Sequence, residues 1–111
     1  MHKHTISFKH AWDGIVYAFS SQPNFRVHLV LSVLACLAAW WLNVSSIKWL
    51  VLILTICGGL IVEMFNTAIE AVVDLVTEEK RLNAKIAKDV AAGAMLIYAI
   101  GSLFVALWLF I

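Results

Sequence analysis

Three long stretches of the chain are almost wholly apolar, and polar residues fall in the short intervals between them. "VHLVLSVLACLAAWWLNV" covers 27–44. A second stretch starts at Ile47 and runs past Glu63 to Val76, and a third covers 90–111. About 20 helical residues cross a hydrocarbon core of about 30 Å. Lipid cannot satisfy an open sheet edge, so strands are excluded. The pattern predicts three spanning helices, at 27–44, 47–76 and 90–111. At about 1.5 Å per residue the second is longer than one crossing needs, so one end protrudes. Before them, Phe8, Trp12, Ile15 and Phe19 recur on one helical face. That face predicts an amphipathic helix over 7–20 lying on the membrane surface. A soluble helix packed on the loop is the alternative. "SSQPN", with the chain's one proline, breaks the path before the first span. The expected fold class is an all-α membrane protein, with 1–111 forming a single domain.

Composition agrees. The 111 residues are 63% hydrophobic and 14% charged, where soluble domains carry about 25% charged residues. A net charge of +1 supplies no field for a polyanion, so nucleic acid is excluded as a partner. Cys36 and Cys57 both sit in apolar runs and read as small buried side chains. The polar, aromatic N-terminus predicts no cleavable signal peptide. Lys3, Lys9 and Arg26 precede the first span, and Lys80, Arg81, Lys85 and Lys88 lie between the second and third. Three crossings put both basic regions on one side, which the positive-inside rule makes cytoplasmic. Trp40, Trp41 and Trp49 flank the outer turn as interface aromatics.

The second stretch contains Glu63, Asn66, Glu70 and Asp74. A carboxylate at the bilayer centre costs about 2.5–3.5 kcal/mol, so their depth matters. Counted from Ile47, Glu63 lies roughly 24 Å along the helix, near the inner edge of the core. Asn66 reaches that edge, and Glu70 and Asp74 lie beyond it. At 100° per residue the four fall within an arc of roughly 80°, with Phe65, Ala68, Val72 and Leu75 opposite. Such a stripe faces a cavity, a metal or another helix, or, for Glu70 and Asp74, only water. Carboxylates near an amide make a hard-oxygen site suited to Mg²⁺, which usually arrives with phosphates. A carboxylate outside the metal shell can serve as base toward a hydroxyl. The cations of "EEKRLNAKIAKD" are available for phosphate oxygens or serve only topology. Together these groups suggest phosphoryl transfer to a lipid. No P-loop or kinase-type catalytic loop is present. Gly58 and Gly59 predict close helix packing.

"VEMFNTAIEAVVD" and the later "AKDVAAGA" resemble the small prokaryotic integral-membrane lipid kinases, the diacylglycerol kinases and undecaprenol kinases. The similarity runs from about Ser7 to the end, and "NFRVH" with "AKIAKDVAAGA" resembles the undecaprenol-kinase branch more. The resemblance implies a homotrimer with active sites between neighbouring subunits. It implies transfer of the γ-phosphate of ATP, with Mg²⁺ as cofactor, to the hydroxyl of undecaprenol or diacylglycerol at the bacterial inner membrane. Glu63 is then the catalytic base. Glu70 binds the metal, and Lys3, Asn66, Asp74, Lys88 and Asp89 bind the nucleotide. Gln22 stands where the family usually has a second metal-binding Glu. A weaker metal site, compensation by another Glu and lower activity are all open consequences. The competing reading is a small proton-coupled exporter using Glu63, or a non-enzymatic subunit that uses the stripe for assembly. Against the exporter, transporters hold their sites near the midplane.

Overall fold

The computed structural model describes residues 8–111 and is all-helical. Its four helices are α1 (Phe8–Ser21), α2 (Pro23–Leu42), α3 (Ser46–Val76) and α4 (Leu82–Phe110). The last three are long and apolar enough to cross a membrane.

Local chemistry sets the boundaries. Pro23 has no N–H to give, so it suits the first turn of α2, and it forces Gln22 into an extended conformation. α2 ends at Asn43, which takes the left-handed conformation (φ 57°) and returns its N–H to the Ala39 and Trp40 carbonyls. Ser45 caps α3 by accepting from the Lys48 backbone N–H. α4 starts at Leu82, eight residues before the apolar stretch at Val90. Its first two turns are polar but rich in good helix formers, and Lys85 pairs with Asp89 one turn on.

α3 packs most extensively on α4 and also meets α2 and α1. The fully enclosed core is small: Ala39, Leu52 and Leu109 join α2, α3 and α4 near the α2–α3 turn. Lys48 reinforces this end. Its ammonium donates to the Leu109 carbonyl at 3.3 Å and lies 5.1 Å from the centre of the Trp108 ring. Trp40 and Trp41, at the end of α2, are exposed.

The two adjacent glycines set the closest approaches. A Cβ at Gly58 would overlap the Tyr98 hydroxyl of α4, and one at Gly59 would overlap the His28 imidazole of α2. The close packing expected of this pair is therefore present, and it points in two directions. Cys36 is half-buried, but Cys57 is exposed, contrary to the expected burial of both. It lies on the side of α3 that shares a groove with Trp12, Ile15, Val16 and Phe19 of α1. Most large apolar side chains of the three long helices also face outward. In water such a surface would aggregate, whereas against lipid tails it carries no penalty.

Candidate active site

α3 positions four of the polar residues singled out from the sequence. Glu63 is 9% exposed and is the one buried charged side chain among the described residues. Almost one turn on, the Asn66 Oδ1 is buried without a hydrogen-bond partner. A buried polar atom left unpaired costs about 1–3 kcal/mol, so this amide is poised for a ligand or a partner. Thr67 is already committed, donating its hydroxyl to the Glu63 carbonyl at 3.0 Å. Glu70 is half-buried and Asp74 exposed, so polarity rises steadily toward the end of the helix.

Glu63 closes one end of an apolar groove of about 430 Å³ between α2, α3 and α4. His28, Met95 and Tyr98 line the same end, and Leu109 and Phe110 lie at the far end. Most of the remaining wall is aliphatic. Three of its hydroxyls are occupied internally. Ser32 donates to the His28 carbonyl (2.8 Å), Thr55 to Val51 (2.7 Å) and Tyr98 to Thr55 (2.6 Å). The groove can therefore hold a hydrocarbon chain and bring a terminal polar group to Glu63.

Beyond the stripe, a polar cleft of about 590 Å³ opens between the end of α3 and the start of α4. Asp74, Lys80, Arg81, Lys85, Lys88 and Asp89 line it. Lys88 Nζ donates to Asp74 Oδ1 at 2.9 Å, joining the two helices. Lys85 pairs with Asp89, and Arg81 with Glu79 at 3.0 Å. Exposed pairs of this kind are worth about 0–1 kcal/mol each. An incoming phosphate can therefore displace the carboxylates at little cost, freeing cations to meet it.

The structure thus brings Lys88 onto Asp74 and sets Asp89 in the same cleft. Gln22 sits at the break before α2, with its side-chain amide donating to Ser21 Oγ at 3.4 Å. Lys3 lies outside the described residues. Among the described residues no three His, Cys, Asp or Glu side chains converge on a point. Mg²⁺ needs no such cage when it arrives with phosphates, for it then takes one or two protein carboxylates. Glu70 and the Gln22 amide are oxygen donors of the right kind for that arrangement. Sequence reading gave no role to His28. The available signal was an ionisable side chain inside an apolar run, which in membranes usually marks a site.

The sequence profile described as prokaryotic diacylglycerol kinase matches residues 9–110. A diacylglycerol kinase of a Synechocystis species is 48% identical over 101 residues, 90% of this chain and 58% of that protein, so this chain spans little more than half of that relative's length. An undecaprenol kinase of Bacillus subtilis is 36% identical over 105 residues, 95% of this chain and 85% of that protein. A diacylglycerol kinase of Escherichia coli K12 is 38% identical over 88 residues, 79% of this chain and 72% of that protein.

Proposed function

The chain belongs to the prokaryotic diacylglycerol kinase family, and from that premise we propose that it is an integral-membrane lipid kinase. It transfers the γ-phosphate of MgATP to the hydroxyl of a lipid alcohol, undecaprenol or diacylglycerol, at the cytoplasmic face of the bacterial inner membrane. One observation carries this reading. A buried carboxylate stands where an apolar groove meets a polar stripe, and the stripe leads to a cleft lined with lysine and arginine.

The division of labour follows from these positions. The groove holds the hydrocarbon of the lipid and presents its hydroxyl at Glu63. Glu63 accepts the hydroxyl proton as the oxygen attacks the γ-phosphorus, whose bond to the β–γ bridging oxygen breaks to release ADP. Lys88, released from Asp74, meets the phosphate oxygens, with Lys3, Asn66, Asp74 and Asp89 completing the nucleotide contacts. Glu70 and Gln22 would hold the metal, each through an oxygen. Mg²⁺, when bound, neutralises charge on the phosphates. The rest of the catalysis is positioning, because phosphoryl transfer asks little covalent chemistry of the protein. α1 lies on the membrane surface with its apolar residues inward. Three copies form a trimer, with sites shared between neighbours. The polar end of α3 suits this placement, since the substrate hydroxyl lies at headgroup depth. Against that arrangement, an exporter would want its carboxylate near the midplane.

Purified protein in mixed micelles with radiolabelled ATP is expected to phosphorylate undecaprenol or 1,2-dioleoylglycerol. Glu63→Gln keeps the shape but removes the base, and a loss of about 10²-fold or more is expected. A Glu63→Gln variant as fast as the parent protein would remove Glu63 from the role of base. Absence of any lipid phosphorylation by the parent protein would overturn the reading itself.

A further inference from the structure

His28, with Tyr98, is one of the two ionisable side chains besides Glu63 that line the apolar groove at its Glu63 end. It comes from α2 and is half-buried. Its ring fills the notch left by Gly59, so closely that a Cβ there would collide with it. Gly59 and Glu63 are four apart on α3, which puts them on one face with about 5–6 Å between Cβ positions. Helical side chains tilt toward the N-terminus of their helix. The Cα–Cβ bond of Glu63 therefore points back toward the turn that His28 occupies. Ser32, Thr55 and Tyr98 have their hydroxyls committed to backbone carbonyls. The fourth groove hydroxyl, Ser102, is a turn further along α4, away from Glu63. The imidazole and the carboxylate thus both line the groove's polar end.

We propose that His28 is a second binding residue for the lipid alcohol, holding the hydroxyl oxygen from the side opposite Glu63. This rests on the lipid-kinase reading above and adds a contact to it. A hydroxyl offers one proton and two lone pairs, and an imidazole can give or take a hydrogen bond. One contact leaves an alcohol free to swing about the carboxylate. Two contacts fix its oxygen relative to the incoming phosphorus, and orientation is a large share of what such a site supplies. The groove walls position only hydrocarbon, so without His28 the polar end of the lipid has a single anchor.

The experiment compares His28→Phe, which keeps a flat ring without nitrogen, with His28→Asn, which keeps a hydrogen-bonding group. Each variant is assayed in mixed micelles with 1,2-dioleoylglycerol and with undecaprenol. His28→Phe is expected to lower kcat/KM for the lipid about tenfold, the value of one hydrogen bond, with KM for MgATP unchanged. His28→Asn is expected to recover part of that loss. A His28→Phe rate within twofold of the parent protein would overturn the proposal. So would equal losses in both variants, or a loss carried by the KM for MgATP. A second measurement needs neither variant nor turnover. The ring nitrogen resonances of ¹⁵N-histidine-labelled parent protein are followed as farnesol is added, and again with farnesane, the hydrocarbon without oxygen. A shift at His28 with the alcohol alone supports the contact, and no shift, or the same shift with both, overturns it. Failure of the lipid-kinase reading shows instead as parent protein that phosphorylates neither lipid.

Discussion

Gly58 and Gly93 are both helical glycines, yet they face opposite demands. A Cβ at Gly58 would run into the Tyr98 hydroxyl, which is held in place by its bond to the Thr55 carbonyl. A Cβ at Gly93 meets nothing within 4 Å. Gly58→Ala is therefore expected to destabilise the fold by about 1–3 kcal/mol through overpacking. Gly93→Ala is expected to stabilise it by about 0.5–1 kcal/mol, since alanine is the better helix former. Reversible unfolding in mixed micelles measures both, and the same sign for the two would contradict this account. Gln22 poses a chemical question instead. If its amide oxygen sits in the metal shell, Gln22→Glu adds charge there and should lower the Mg²⁺ concentration for half-maximal rate. An unchanged Mg²⁺ dependence would place Gln22 outside the shell. The spacing of Glu63, Asn66, Glu70 and Asp74 was legible in the sequence because all four ride one helix, where 100° per residue fixes their angles. The approach of His28 to Gly59 was not, because it depends on how α2 packs against α3.

Between elements, the informative contact is Lys88 to Asp74, which ties the start of α4 to the last turns of α3. It crosses a turn, so neither residue's helical period announced it. The same turn hid the true start of α4. Hydropathy marks where lipid begins, at Val90, whereas the helix itself begins at Leu82 because its polar turns have helix-forming residues and an internal ion pair. An exposed pair contributes about 0–1 kcal/mol to stability, but a lysine on phosphate contributes to nucleotide binding. The two roles separate in Lys88→Met. Its unfolding curve is expected to stay close to that of the parent protein, while its KM for MgATP rises about tenfold or more. Titration of rate against MgATP, beside an unfolding curve, checks both. A large stability loss with KM unchanged would make the contact a clasp between helices and nothing more.

At the scale of the whole molecule, one chain leaves its chemistry dispersed. Among the described residues no three carboxylate, imidazole or thiolate groups gather, and the long helices turn most of their large side chains outward. Lipid accounts for the apolar surface but not for the scattered acids. The proposed symmetric assembly would account for both, because neighbours would cover one another's helix faces and bring distant residues across a shared boundary. The sequence could supply three spans and their polar stripe, but not a stoichiometry, since lipid-facing and partner-facing leucines look alike along a chain. Subunit mixing makes the distinction. With MgATP held well below KM, Glu63→Gln protein is expected to be nearly inactive alone, and Lys88→Met protein to run at about a tenth of the parent rate or less. If Glu63 of one copy works with Lys88 of its neighbour, protomers dissociated, mixed equally and reassembled should regain about a quarter of the parent rate, because half of the copies on each side of a site are intact. If each site lies within a single protomer, no intact site can form by mixing and the rate stays at background. Recovery that appears only after dissociation and reassembly would tie the regained activity to the interface between copies.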